Sequence, residues 1–376
     1  MQKLEYKPGV TVGDYEIKKG PGRVPGELGT GGFGRVYYAA NRHMYHVVAL
    51  KTMRKSAPWS PDVWTKFCRE SKFWLHLECD HHVVRARSFF LFDEERGEVL
   101  SEQDAENKRE IARPFLAIDF IEGLSLKDLL NRELRLHPLQ ACRYGIQFCE
   151  GMRNANDTTA RGRNSAPLLH RDISPDNVMI SLRNTLKITD FGLARFVGMA
   201  ADIQSELAGK DFYMSPEQGR CNTLKKLERL TPASDIWAFG VTLYQCLTGS
   251  FPYVSLDKIF TPGPQWIPSE WVSPGKLPYG HSNIGKLTPF SKDRKDMIRH
   301  FDELVSRCFF RSAKERLQTW KEVMDLLSLI HVKLEERLEN KPPACCGACD
   351  FIPNDGSAVT CSLCGAKLVP GQTTTR

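Results

Sequence analysis

The hydrophobic pattern of this chain changes period near Ser125, and that change constrains the fold more than any other property of the sequence. From Asp14 to about Ser125 the apolar residues form short runs rich in β-branched and aromatic side chains: Tyr15 to Ile17, Arg35 to Ala40, Val47 to Lys51 and Phe115 to Phe120. One stretch there, Pro61 to Leu77, places Val63, Trp64, Phe67, Phe73 and Trp74 near helical spacing. Beyond Ser125 the segments lengthen into amphipathic stretches, Leu126 to Leu134, Leu139 to Met152, Ala233 to Thr248, Arg294 to Phe309 and Trp320 to Leu338. The expectation is an α+β protein, a small sheet with one helix packed on it followed by a mainly helical half. The charged stretch Asp93 to Arg113 reads as a solvated loop between two strands. Thr261-Pro262-Gly263-Pro264 must be a connection, because proline cannot continue a helix.

With 41% hydrophobic and 26% charged residues over 376 positions, the chain has apolar material for one large or two ordinary cores, which excludes a disordered or fibrous protein. A net charge of +7, from 52 basic and 45 acidic residues, suits an anionic ligand without demanding nucleic acid. Met1 to Pro8 lacks the apolar run of a secretory signal, and no stretch approaches about 18 uninterrupted apolar residues. A cytoplasmic protein without a membrane span is expected. Of the 12 cysteines, Cys68, Cys79, Cys142, Cys149, Cys221, Cys246 and Cys308 stand singly among apolar or helical segments, as reduced thiols do.

Gly29-Thr30-Gly31-Gly32-Phe33-Gly34-Arg35-Val36 is a glycine-rich turn between two strand-like segments. Glycine admits backbone angles closed to other residues and lets N–H groups approach phosphate oxygens. Alone, such a turn is as readily an ordinary hairpin. The next strand, Val48-Ala49-Leu50-Lys51, ends on a lysine that either snorkels to solvent or meets a bound anion. Farther on, His170-Arg171-Asp172-Ile173-Ser174-Pro175-Asp176-Asn177 precedes Val178-Met179-Ile180, and Leu186 to Thr189 leads into Asp190-Phe191-Gly192. Two carboxylates and a carboxamide at the ends of short strands are hard oxygen ligands of the kind Mg²⁺ takes. Each triplet alone is ordinary turn chemistry; their joint order makes coincidence remote.

With these motifs the chain resembles the eukaryotic-like protein kinases of the bacterial serine/threonine type, from about Asp14 to Leu338. Ser215-Pro216-Glu217 and Asp235-Ile236-Trp237-Ala238-Phe239-Gly240 extend the likeness. The resemblance implies a two-lobed fold, residues 14–121 forming a β-rich lobe and 122–338 a helical one, and transfer of the γ-phosphate of MgATP (or its Mn²⁺ complex) to serine or threonine of protein substrates in signalling. Lys51 would contact the α- and β-phosphates, held by Glu70, which lies at a spacing similar to the family's, with Phe73 and Trp74 on the apolar face after it; Glu78 is the substitute. Asp172 would orient the substrate hydroxyl and accept its proton, and Asn177 and Asp190 would hold Mg²⁺. The implied nucleotide contacts run through Leu28, Gly29, Thr30, Gly31, Gly32, Phe33 and Gly34, then Val36, Ala49 and Lys51. Met179 would lie below the adenine and Ile118 behind it, with Asp119 to Ile121 as the hinge. Glu217 and Arg316 look like the pair tying the activation segment to the late helices, and Asp235 like the residue fixing the catalytic loop.

Ser174 stands where serine/threonine kinases usually carry lysine, and Lys210 stands where they carry threonine. A long ammonium reaches one charge from several backbone positions, so Lys210 either supplies the missing γ-phosphate contact or faces solvent. Arg171 beside Asp172 implies a buried charge awaiting an anion. Ser205 is the candidate phosphorylation site, with Glu206 or Asp202 as permanent alternatives. Lys18 to Gly26 intervenes before Leu28, which predicts a first strand bulged or extended by a loop.

Lys341-Pro342-Pro343 lies in a linker, residues 339–344, ahead of a cysteine-rich tail, residues 345–367. Cys346/Cys349 and Cys361/Cys364 form two C-x-x-C pairs around the turn signal Asn354-Asp355-Gly356. Four thiolates so spaced match structural Zn²⁺, and a segment this short needs a staple. The tail resembles a zinc ribbon; disulfides are the alternative, and Cys345 is spare. A protein contact is expected of it rather than nucleic-acid binding, since Lys367 alone makes a poor basic patch. Two rival functions are a nucleotide-binding pseudokinase that recruits partners through the ribbon and a small-molecule phosphotransferase.

Overall fold

The computed structural model describes residues 6–21, 26–30, 34–54, 60–77, 81–107, 109–161, 168–191, 210–218, 230–252, 294–310, 312–338, 345–353 and 360–368. These divide into two compact units. The first draws on Met1–Asp80, Val84–Ile121 and Phe191, and the second on His81–Val83, Glu122–Asp190 and the described residues after Gly209.

In the first unit, β1 (Thr11–Val12), β2 (Tyr15–Ile17), β3 (Glu27–Thr30), β4 (Gly34–Asn41), β5 (Val47–Met53), β6 (Ala86–Asp93), β7 (Glu98–Leu100) and β8 (Ala112–Asp119) form an antiparallel sheet. Its order is β1-β2-β4-β5-β8-β6-β7, with β3 also on β4. Alternation sorts the side chains by face. Tyr37, Ala39, Val48, Leu50, Phe115 and Ala117 bury themselves with Tyr6, Tyr15 and Ile17 in one core. The neighbouring positions Val36, Ala49, Lys51, Leu116 and Ile118 therefore share the opposite face, in the register Val36↔Lys51↔Leu116 and Ala49↔Ile118. The expected irregular first strand is two segments, β2 and β3, that both pair with the same edge of β4.

α1 (Pro61–Leu75) buries Trp64, Phe67, Ser71 and Trp74, a stripe at helical spacing. Phe73 lies one residue off that stripe and is 38% exposed, so only Trp74 of the expected pair belongs to the apolar face. Glu70 is half-buried beside it, and Glu78 falls outside the described residues. The stretch from Asp93 is not the loop its charges suggested. It holds β7 and α2 (Glu102–Asn107), because Leu91 pairs with Leu100 and Ala105 is buried, while the charges face outward, as in the 2.7 Å pair of Lys72 with Glu102.

The second unit contains β9 (Gly123–Ser125), α3 (Leu126–Glu133), α4 (Pro138–Arg161), β10 (Val178–Ser181), β11 (Leu186–Ile188), α5 (Pro232–Thr248), α6 (Arg294–Cys308) and α7 (Trp320–Leu338). The three strands form a small antiparallel sheet in the order β11-β10-β9. α3 starts at Ser125, whose hydroxyl accepts from Asp128 N–H at 3.0 Å. α5 is buried along almost its whole length, begins in a reciprocal cap of Thr231 and Ser234, and ends at Gly249 in the left-handed conformation. Among the described residues no helix is long and apolar enough to cross a membrane.

One buried ion pair fastens this unit. Arg316 meets Glu217 in a two-pronged contact of 2.7 and 2.8 Å, also donates to the carbonyls of Phe310 and Ala233, and stacks over Trp237. Burial alone would push the Glu217 carboxyl up; the bonds and charge of Arg316, with Ser234 donating at 2.7 Å, hold it below its ordinary 4.5. That contribution to stability is complete above pH 4.5 and is lost as pH falls through the lowered value. Arg316→Ala should cost about 3–5 kcal/mol in urea denaturation at neutral pH, because it strands a buried carboxylate. Between neutral pH and pH 3 the wild-type stability should fall more steeply than that of Glu217→Gln.

Candidate active site

Ahead of β10, residues 168–174 form a loop whose backbone is held by one carboxylate. Asp235, buried on α5, accepts from His170 N–H at 2.7 Å through Oδ2 and from Arg171 N–H at 2.8 Å through Oδ1. Burial pushes this carboxyl up, against the pull of His170, the two N–H groups and Arg171. Arg171 adopts φ 64°, a left-handed angle costly for a side-chain-bearing residue, and the Asp235 contact holds it there. The Arg171 side chain is exposed, so it is not the buried charge expected from sequence; its backbone is the fixed part.

His170 continues the chain of bonds. Its Nδ1 accepts from Asp172 N–H at 3.3 Å, which leaves Nε2 to donate to Thr189 O at 2.8 Å. The Asn177 amide donates to Asp172 twice, to the backbone O at 2.7 Å and to Oδ2 at 2.8 Å. Thr189 N–H closes the circuit on Asn177 O at 3.0 Å. Asn177 leads into β10 and Asp190 follows β11, so these residues flank one end of a single hairpin in which Val178 pairs with Ile188. Asp172, Asn177 and Asp190 are thus brought together by hydrogen bonds and strand pairing. With its NH₂ committed to Asp172, Asn177 has Oδ1 as the oxygen to offer a cation.

The remaining expected site residues lie mostly in the first unit. Gly29 pairs with Val36 and Thr30 with Arg35 in the β3–β4 hairpin, Leu28 is half-buried, and Gly31, Gly32 and Phe33 lie outside the described residues. Gly34 leaves little room for a side chain: a Cβ there would stand 3.0 Å from Thr52 O. Val36, Ala49, half-buried Lys51 and Ile118 share one face of the sheet, and Asp119 and Ile121 follow on β8 and its exit, with Arg87 holding the Asp119 carboxylate at 2.5 Å. Phe191 packs edge-on against Trp74, ring centroids 6.0 Å apart. Met179, in the second unit, sits on β10 opposite Ser125 and Lys187. Ser174 is buried, and its hydroxyl finds no partner among the described residues. Lys210 opens a short 3₁₀ turn through Tyr213; Ser205, Asp202 and Glu206 lie outside the described residues.

Sequence reasoning passed over two groups. Gln218 accepts from the N–H and hydroxyl of Ser215 and donates to Arg171 O at 3.1 Å, tying the segment after Tyr213 to the His170–Asp172 loop. Gln140, Tyr144 and Gln147 recur at helical spacing along α4 and all reach the β10–β11 hairpin. Polar side chains recurring on that spacing were the available signal.

In the tail, Cys346, Cys349, Cys361 and Cys364 bring their sulfurs within 4.8 Å of one another. Cys346 and Cys364 are 3.6 Å apart and Cys349 and Cys361 3.7 Å. A tetrahedron with metal–sulfur bonds of about 2.3 Å has edges of roughly 3.8 Å, whereas a disulfide needs about 2.05 Å. These separations fit a tetrahedral metal better than a pair of disulfides. Cys361 is pulled down by its hydrogen bond with Cys349, which is itself pushed up. Cys345 lies outside the cluster.

The protein kinase domain model matches residues 23–327. The chain belongs to the protein kinase family. It is 25% identical over 307 residues to serine/threonine-protein kinase PknB of Mycolicibacterium smegmatis, covering 81% of this chain and 42% of that protein. It is 26% identical over 317 residues to serine/threonine-protein kinase A of Synechocystis sp., covering 82% and 53%. The chain thus spans about two-fifths to one-half of the length of these relatives. The PknI kinase domain of Mycobacterium tuberculosis shares the fold, with a TM-score of 0.55 at 18% identity over 87% of this chain and all of that one. The β-rich first unit and helical second unit are the two lobes of this α+β fold.

Asp235→Ala removes the acceptor of the buried His170 N–H, worth about 1–3 kcal/mol when stranded, and of the part-buried Arg171 N–H. Thermal and urea denaturation should register a loss of that order, and proteolysis should open the chain first in the His170–Asp172 loop.

Proposed function

We propose that the chain is a protein serine/threonine kinase using MgATP. The observation that carries this reading is the bonding of Asn177 to Asp172 beside Asp190 on one hairpin, a proton acceptor and two hard oxygen donors held in one place. The naming of its relatives as serine/threonine kinases supports the substrate class.

In this reading Asp172 orients the substrate hydroxyl and takes its proton as the oxygen attacks the γ-phosphorus and the bond to the β-phosphate oxygen breaks, releasing ADP. Asn177 and Asp190 hold Mg²⁺, which when bound draws charge off the phosphates. Lys51, backed by Glu70, grips the α- and β-phosphates, the face bearing Val36, Ala49 and Ile118 contacts adenine, and Met179 is a further nucleotide contact. The hinge backbone from Asp119 to Ile121 reads the purine edge. Lys210 supplies the cation that Ser174, short and buried, cannot.

Asp172→Asn should lower kcat by about 10²–10⁴-fold with nucleotide binding retained, measured with labelled ATP, Mg²⁺ and a generic protein substrate. A scaffold would bind nucleotide yet give no transfer in either protein. Lys210→Ala should slow transfer by about 10²-fold; an unchanged rate, with Asp172→Ala inactive, would assign Lys210 to solvent.

The tail, residues 345–367, is proposed as a zinc ribbon joined by residues 339–344, with Zn²⁺ held by Cys346, Cys349, Cys361 and Cys364. Its contact surface is the kinase domain itself: Arg132 donates to Ser362 O at 2.8 Å, the Ser362 hydroxyl to Glu133, and Ile352 N–H to Gln140 at 3.2 Å. Metal analysis of the purified chain should return one zinc per chain, falling to none in a Cys361→Ser, Cys364→Ser double variant.

A further inference from the structure

The tail is docked where α4 grips the β10–β11 hairpin. Gln140, fully buried, uses both ends of its amide: Oε1 accepts from Ile352 N–H of the tail at 3.2 Å, and Nε2 donates to Asn184 Oδ1 at 3.2 Å. Asn184 Nδ2 returns to Gln140 Oε1 at 3.4 Å, and Tyr144 Oη donates to Asn184 Oδ1 at 2.5 Å. Asn184 forms the turn of the hairpin at φ 58°, a left-handed angle that needs local support. Gln147 accepts from Leu186 N–H at 2.8 Å on the adjoining strand. The other end of that hairpin carries Asn177 and Asp190.

Ile352 is positioned by the first cysteine knuckle. Asp350 N–H donates to Cys346 O at 2.8 Å and Cys346 N–H to Phe351 O at 2.9 Å, so the backbone that presents Ile352 is folded around Cys346. Phe351 and Ile352 are buried, at 0% and 1% exposure, and so is Leu363 of the second knuckle. Without a metal, only weak thiol hydrogen bonds hold the four sulfurs together, and the knuckle loses the constraint that holds Phe351 and Ile352.

Resting on the zinc-ribbon and MgATP readings above, we propose that Gln140 and Asn184 are positioning residues through which metal occupancy of the tail sets the affinity of Asn177 and Asp190 for the Mg²⁺–nucleotide complex. The ribbon is then an intramolecular brace on the catalytic hairpin. A buried amide with each end committed has one geometry. Release of Ile352 removes one of its partners and frees the turn it holds, and an antiparallel pair of only three paired positions, about 3.4 Å per residue in rise, passes that freedom to its far end. By linkage, nucleotide and tail metal strengthen each other by the same factor.

The test uses the full chain. Binding of Mg²⁺ with a non-hydrolysable ATP analogue is titrated before and after removal of zinc by a chelator, with released zinc counted, and zinc affinity is titrated with and without the nucleotide. In the wild type, zinc removal should raise the nucleotide Kd roughly five- to tenfold, and nucleotide should lower the zinc Kd by the same factor. Gln140→Leu should keep one zinc, bind nucleotide at the weakened level and no longer respond to chelation. Asn184→Gly, which keeps the turn angle accessible and removes the side-chain link, should behave alike if Gln140→Leu fails to fold. Stoichiometric zinc whose removal leaves nucleotide affinity unchanged would overturn the brace and spare the zinc reading. A variant that still responds like the wild type would also overturn it. Absence of zinc from the wild-type chain would overturn both.

Discussion

The Asp235 carboxylate is the constraint on which the candidate site depends. It lies on α5, a helix buried along almost its whole length, and from there it fixes the backbone N–H groups of His170 and Arg171. Every later contact presupposes that anchor: the imidazole of His170 can bridge Asp172 and Thr189 only because its own backbone is immobile, and Asn177 can clasp Asp172 only because the loop returns to it. The cost of burying one carboxylate is offset by two short bonds, and a left-handed arginine is sustained by the same pair.

The hydrophobic period and the motif order made much of this legible. Alternation in Arg35 to Ala40 and Val47 to Lys51 predicts the two-faced β4–β5 pair, and the amphipathic stretches after Ser125 correspond to α3 to α7 with ends displaced by a few residues, α4 running on to Arg161. The Cys-x-x-Cys pairs likewise predict the sulfur cluster. What could not be read was set by tertiary partners. The charges between Asp93 and Arg113 hide the few residues, Leu100, Ala105 and Ala112, that give the segment regular structure. Phe73 reads as core until the positions of Trp64, Phe67 and Trp74 fix where the buried stripe lies.

Gln140 and Asn184 belong to the same class. Each is an ordinary polar residue in sequence, and each acquires meaning only when a segment from near the end of the chain, Ile352, is laid beside them. The separation between Gln140 and Ile352 places such a link beyond any local pattern. A motif search finds the candidate residues Asp172, Asn177 and Asp190 but not the side chains that bond to the turn of the hairpin.

The two indoles of α1 have a consequence of their own. Trp64 donates to Ala112 O at 2.7 Å near one end of the helix, and Trp74 to Val84 O at 2.9 Å near the other. Two pins through one rod forbid it to roll: any turn about its axis would tear both buried N–H groups from their acceptors at once. The angular setting of Glu70 is thereby inherited from the sheet, and this helix keeps time with the strands beneath it.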